Sequence, residues 1–536
     1  MKKFLERSLA AVFRPPFAAA AGIAFAVAFA LFLPAAAGFT YGGHSLQEFW
    51  DWKNIVLTVL ALFLLGVWKP VRLAIGFPIV AILALYLPAG ILYGKPSILV
   101  AMALLQTNPT EAGEFLTNIP LRIYAEAAGF FLLGAAALIA AGRTGLRKST
   151  EGTVAAVAVG VSIFLGWQMS YGSGLDYSEI RPADFFYRLG TTAWYSFEEL
   201  REERSAPPPT WKVSGSRPRY RTYVIVIGES QRRDYASVYG YPLDTTPYLR
   251  RANGVFFRNF VTPGGNTGIS LPRLLSYNYP DSDRFSRSNN IVTLANAAGF
   301  DTWWISNQGR GGAFDNPIAQ IGVRSAHTIW LKGNYADPNV DDDELLPKLE
   351  ETLRSTAGDS RPKLIFLHLM GSHPTFCTRL SGRKPAWDVG DPAMGCYLTT
   401  YRMVDSLLER TEGLLRKTGE SWSLIYFADH GLSMQKKPGT ATGKELEHGY
   451  DHRENYDVPF LEMSSDSRTH VVNPARRSGY RLLEGFADWL GITVSNVSLP
   501  LQPPFWSMKD DKRVRVFGGK SYDGLKDDPA IRYTPR

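Results

Sequence analysis

Several side chains able to do chemistry stand where short apolar runs stop. Glu229 closes "VIVIGES", Asp429 and His430 follow "SLIYFA", His373 ends "HLMGSH", and Asn307 sits in "WWISNQ". Two carboxylates and an imidazole brought close together repel and shift one another's pKa unless a cation lies between them. Oxygen and nitrogen donors in this mixture suit Zn²⁺ or Mn²⁺. A nucleophile is on offer in "TPGGNTGISLPRLLS" (262–276). Gly264 and Gly265 allow a tight turn, Asn266 and Thr267 are good N-cap residues, and "ISLPRLLS" can begin a helix. That places the Thr267 hydroxyl at a helix N-terminus, where an anion is stabilised. Zn²⁺ lowers the pKa of bound water from about 15.7 to about 7, and a coordinated threonine hydroxyl would be activated likewise. Taken singly, the same residues have plain structural readings: Glu229 with Ser230 could start a helix, "DHG" could be a turn, and Thr267 could be only a cap.

The elements that must position these groups are legible around them. "TYVIVIGES", "FDTWWISNQ" (300–308), "KLIFLHLMGSH" (363–373) and "SLIYFADHG" (423–431) are apolar, β-branched or aromatic runs that break into polar residues at their carboxyl ends. Such runs read as parallel strands buried on both faces. Helical patterns such as "VDSLLERTEGLLRK" separate them, which predicts an α/β domain with a mostly parallel central sheet. Ligands of such sheets bind beyond the carboxyl ends of the strands, so Glu229, Asn307, His373, Asp429 and His430 are expected to converge on one edge.

The first third of the 536-residue chain is different material. Phe17 to Gly38, Asn54 to Trp68, Leu73 to Tyr93, Ile123 to Ala141 and Thr153 to Trp167 are almost wholly apolar and read as five membrane spans, the shorter ones borrowing length from their flanks. "KPVR" alone separates the second and third, a tight helical hairpin. A signal peptide is the competing reading of the first run. Lys2, Lys3, Arg7, Arg14, Lys69, Arg72, Arg143, Arg147 and Lys148 mark the cytoplasmic side, which delivers everything after Trp167 to the outside. Cys377 and Cys396, the two cysteines, can pair in that oxidising space, free buried thiols being the alternative. A net charge of +8 comes from 58 basic residues scattered among 50 acidic ones, which suits anionic lipid and gives no nucleic-acid patch. The expected organisation is a transmembrane domain over 1–172, an interfacial helix and linker over 173–220, a catalytic domain over 221–500 and a tail over 501–536.

"VIVIGES", "YGYPLDTTPYL", "NTGISLP", "HLMGSHPT", "ADHG" and "EHG" occur in this order and resemble the phosphoethanolamine transferases of Gram-negative envelopes, within the alkaline phosphatase and sulfatase superfamily. The resemblance implies an inner-membrane enzyme with its sulfatase-like domain in the periplasm. It implies Glu229, Thr267, Asp429 and His430 as zinc ligands, Thr267 also as nucleophile, and His373 and His448 flanking the transferred phosphoryl group, the two histidines exchangeable in role. Glu111, in the outward segment "LLQTNPTEAGEFL", aligns with an acidic residue that meets the ethanolamine ammonium, and Asn307, His373 and His448 complete the expected substrate contacts. The implied reaction takes phosphoethanolamine from phosphatidylethanolamine onto Thr267 and then to an acceptor, with a periplasmic glucan, the lipopolysaccharide core or lipid A as candidates. Departures bear on the acceptor: Arg273 stands where the lipid A branch usually has a cysteine, a single disulfide can form, and Ala103 replaces an expected asparagine. These lean toward glucans or core sugars. A phosphoglycerol transferase or phosphohydrolase on the same scaffold, or a non-enzymatic envelope protein, are the alternative readings.

Overall fold

The computed structural model describes residues 15–40, 52–96, 116–143 except Asn118, 185–194, 207–309, 317–332, 340–436, 444–497, 499 and 502–533. Two units emerge, one holding the described apolar helices and the other the described α/β fold. In the first, α1 (Pro15–Ala36), α2 (Trp52–Val67), α3 (Phe77–Tyr93) and α4 (Leu121–Ala141) pack around α4. Helical turns over Lys69–Val71 and Arg72–Gly76 lead into α3, so the chain reverses from α2 at the single extended residue Trp68. Among the described residues three helical stretches are long and apolar enough to cross a bilayer: Ala19–Ala36, Lys69–Leu92 and Leu121–Ala141. At 16 residues α2 is about 24 Å long, less than the roughly 30 Å of bilayer hydrocarbon. The expected fifth span, Thr153 to Trp167, lies outside the described residues.

Lipid offers no hydrophobic drive for helix association, so close packing of small residues has to supply it. Gly66 lies against the Leu138 backbone and Ala141, and Gly134 lies against Val80 and Phe29. Phe29 stacks on Phe130 at 4.1 Å between ring centroids. Residues 185–194 are helical. Phe185 of that helix meets Tyr86 edge-on at 5.2 Å, while Tyr187 and Trp194 stay exposed, a distribution suited to a membrane interface.

The second unit is built on an eight-stranded sheet. Its strands are β1 (Thr222–Gly228), β2 (Gly254–Val261), β3 (Asp301–Ser306), β4 (His327–Trp330), β5 (Lys363–His368), β6 (Trp422–Ala428), β7 (Phe460–Ser464) and β8 (His470–Ser478). They lie in the order β8-β2-β7-β6-β1-β5-β3-β4. All neighbours run parallel except at β7, which is antiparallel to both β2 and β6. Every residue of β1, β5 and β6 is buried, as two-faced apolar runs require. Successive residues feed opposite cores: Tyr223, Ile225 and Ile227 join Leu364 and Phe366 on one face, and Val224 and Val226 join Ile365 and Leu367 on the other.

Two helices matter for the site. Helix α5 (Thr267–Leu275) is capped by Asn266, whose side chain accepts from the Ile269 N–H at 3.0 Å, so Thr267 is the first helical residue. Helix α6 (Pro392–Lys417) contains "VDSLLERTEGLLRK" and carries Cys396, which is disulfide-bonded to Cys377, so neither thiol is free. The described residues after Pro500 are folded onto this unit. Asp511 pairs with Arg477 at 2.5 Å, and Asp528 with the fully buried Arg232 at 2.9 Å.

Candidate active site

β1 and β6 are adjacent and parallel with Gly228 opposite Ala428, so the residues that follow them emerge side by side. The Asp429 N–H donates to the Gly228 carbonyl at 3.1 Å, which sets Glu229 and Asp429 at the same height above the sheet. His430 comes next. Its Nε2 lies 3.1 Å from Glu229 Oε1 and 3.6 Å from Asp429 Oδ2. All three side chains are buried. The start of α5 faces them, with Thr267 Oγ1 donating to Glu229 Oε2 at 2.9 Å and standing 3.3 Å from His430 Nε2.

Glycines permit this approach. A Cβ at Gly265 would lie 2.0 Å from the Gly449 carbonyl oxygen, so the turn into α5 and the loop after His448 touch backbone to backbone. Gly371, in the left-handed region at φ +48°, presses on the Glu229 backbone, and a Cβ there would meet the Glu229 nitrogen at 2.9 Å.

The charges in this cluster are unbalanced. Burial pushes the Asp429 carboxyl up, and the neighbouring Glu229 charge adds to it, to about 8. Burial disfavours the His430 imidazolium, yet the two carboxylates outweigh it and raise the ring to about 9. Glu229 is also penalised by burial, but hydrogen bonding to His430 and its charge hold it well below the usual carboxylate range. Asp429 Oδ2 is buried with no hydrogen-bond partner. A site that draws in protons to neutralise buried carboxylates, and leaves one oxygen orphaned, fits a divalent cation. Among the described residues, Glu229, His430 and His448 form a group whose ligating atoms lie within 4.8 Å of one another.

The other expected site residues are placed as follows. The half-buried His448 ring sits 4.9 Å from that of His430 and 6.3 Å from that of His373, measured between centroids. All three histidines therefore gather at this edge. Asn307 does not join them. It is fully buried, and its amide donates to the Val340 carbonyl and to Asp342 Oδ1, both at 2.8 Å. Asp342 in turn accepts the Met370 and Gly371 N–H groups at 2.8 Å each, so Asn307 braces the loop behind Glu229. Glu111 lies outside the described residues.

Sequence reasoning missed Ser230, treating it only as a helix starter. No helix starts there: Ser230 has φ +57°, rare for a residue with a side chain. A left-handed serine leaves no trace in composition or periodicity. Its position directly after the glutamate that closes a buried strand was the one available hint.

An eight-stranded, mostly parallel sheet with carboxylates, histidines and a helix-borne hydroxyl beyond its strand ends defines a sulfatase-like α/β domain. The Sulfatase family profile matches residues 221–492. The chain is 35% identical over 438 residues to phosphoethanolamine transferase OpgE of Escherichia coli, covering 80% of this chain and 81% of that protein. Phosphoethanolamine transferase EptC of the same species is 27% identical over 294 residues, 51% of this chain and 50% of that protein. In fold, the integral membrane lipooligosaccharide phosphoethanolamine transferase EptA of Neisseria meningitidis superposes with a TM-score of 0.62 at 16% identity, covering 87% of this chain and 96% of that structure. The chain belongs to the phosphoethanolamine transferase family and is an enzyme of that activity.

Proposed function

We propose that this transferase takes phosphoethanolamine from phosphatidylethanolamine and passes it to a saccharide of the cell envelope through a phosphothreonine-type intermediate on Thr267. The observation that carries the reading is the placement of Thr267: a hydroxyl on the first turn of α5, 2.9 Å from Glu229 and 3.3 Å from His430. Glu229, Asp429, His430 and Thr267 are the residues that would hold Zn²⁺, with Mn²⁺ the second candidate. When bound, the ion supplies positive charge that favours ionisation of a hydroxyl and offsets charge on phosphoryl oxygens.

In the first step Thr267 Oγ1, its proton directed at Glu229 Oε2, attacks phosphorus. The bond to the diacylglycerol oxygen breaks, and His373 protonates that leaving oxygen. In the second, an acceptor oxygen gives its proton to His373 and displaces the Thr267 oxygen, which takes its proton back. His448, next to His430, faces the phosphoryl oxygens. Asn307 acts through Asp342 and Gly371, and Glu111 meets the ethanolamine ammonium. The apolar unit, 1–172 with the interfacial segment and linker over 173–220, anchors the enzyme in the inner membrane as a five-span protein. The catalytic domain over 221–500 and the tail over 501–536 stand in the periplasm.

For the acceptor, a periplasmic glucan or core sugar is favoured over lipid A. At the position where a cysteine would tie α5 covalently, Arg273 lies over the rings of Phe285 and Phe517 at 5.0 and 4.5 Å, and bonds to the Ile269 and Asp283 carbonyls. This supports a differently shaped rim. The test is intact mass of the purified full-length protein after exposure to phosphatidylethanolamine. One phosphoethanolamine should be added to the wild type and none to Thr267→Ala. A modified Thr267→Ala protein would refute the nucleophile, and a wild type left unmodified here but given phosphoglycerol by phosphatidylglycerol in a parallel incubation would refute the donor.

A further inference from the structure

Each carboxylate of the cluster has two oxygens, and something must decide which one faces the reacting groups. Ser230 does so for both. Its hydroxyl donates to Glu229 Oε1 at 2.6 Å, leaving Oε2 to Thr267. Its backbone N–H donates to Asp429 Oδ1 at 3.1 Å, the oxygen that also accepts the His430 N–H at 2.8 Å, leaving Oδ2 without a partner. Ser230 reaches both carboxylates with its backbone in the left-handed region, at φ +57°. Such a conformation is strained for a residue with a Cβ and persists only where the surroundings over-determine it.

Those surroundings are visible. Tyr397 of α6 donates its hydroxyl to the Ser230 carbonyl at 2.9 Å, and Tyr401, one turn on, donates to the Arg232 carbonyl at 2.8 Å. The two phenols are themselves 2.9 Å apart. Ser230 is fully buried, so no water competes for its hydroxyl. Tyr397 follows Cys396, whose disulfide to Cys377 ties α6 to the chain just beyond His373. The grip on Ser230 and the placement of His373 therefore share one anchor.

We propose that Ser230 is a positioning residue that orients both carboxylates, turning Glu229 Oε2 toward Thr267 and leaving Asp429 Oδ2 as the unpartnered oxygen of the cation site. This rests on the metal reading above. Partners of metal ligands are worth about 10- to 100-fold in metal affinity when removed. Ser230→Gly is the informative variant: it removes the hydroxyl while giving the left-handed backbone the one residue that adopts it without strain. Zn²⁺ affinity of the full-length protein, stripped of metal and titrated against a chromophoric chelator, should fall about 10- to 100-fold, while the metal-free Tm stays level or rises. Ser230→Ala should show the same loss of affinity at an unchanged Tm, and serves if the glycine variant fails to fold. Affinity within about twofold of the wild type in either folded variant would overturn the assignment, as would a loss that merely tracks a lowered Tm. A wild-type protein that binds no Zn²⁺ would instead overturn the metal reading itself, and this inference with it.

Discussion

Loading the cluster with Zn²⁺ should release about two protons per ion at pH 7. The figure follows from the charges that burial forces on the metal-free site. With Asp429 raised to about 8 and His430 to about 9, both are mostly protonated at pH 7. Glu229, held low by His430, contributes none. An ion bound by deprotonated ligands must displace both, about two protons in total. Calorimetric titration of the full-length protein in several buffers at one pH measures this directly, as the slope of observed enthalpy against buffer ionisation enthalpy. The slope should be near 2 at pH 7 and fall as the pH passes through about 8 and then about 9; any excess over 2 would come from the Thr267 hydroxyl. The same stoichiometry makes affinity rise about 100-fold per pH unit between pH 6 and 7. A slope below about one at pH 7, or an affinity change below about tenfold over that unit, would refute the placement of buried, mutually opposed carboxylates around His430.

Other outcomes follow from single contacts. Gly265→Ala places a methyl 2.0 Å from the Gly449 carbonyl oxygen, so one of the two backbones carrying Thr267 and His448 must move; initial rates of transfer should fall about 100-fold while circular dichroism stays native. Replacing Cys377 and Cys396 together by serine opens a loop of sequence separation 19 and should cost about 3 kcal/mol in thermal unfolding, a change that reductant should reproduce on the wild type. In a background lacking both native cysteines, Gly145→Cys should react with an impermeant thiol reagent only from the cytoplasmic side and Ser214→Cys only from outside. Labelling of both from one side would remove the five-span arrangement.

Much of the fold could be read from local pattern because parallel strands buried on two faces need unbroken apolar runs, and this chain has them in "YVIVI", "LIFL" and "LIYF". The same runs told where Glu229, Asp429 and His430 stand, since a residue that ends such a strand has one edge of the sheet to go to. The antiparallel β7, inserted between β2 and β6, was not legible: "FLEMS" is short and carries no mark of direction. Asn307 shows the complementary failure. It ends a strand like the others, yet its amide is taken up by Val340 and Asp342, partners from a distant stretch that no strand pattern announces.

By itself the sequence determined which groups could take part: carboxylates and a histidine at strand ends, and a threonine at the entry to a capped helix, because these depend on hydrophobic run length and capping chemistry within a few residues. Only the tertiary structure decided which way each carboxylate turns its two oxygens. That choice rests on the left-handed Ser230, on Tyr397 holding its carbonyl from a helix 167 residues away in the chain, and on Gly265 and Gly449 meeting backbone to backbone. Hydrogen bonds fix orientation only once both partners have been brought within about 3 Å, and for residues this far apart in sequence it is the packing of sheet and helices that brings them there.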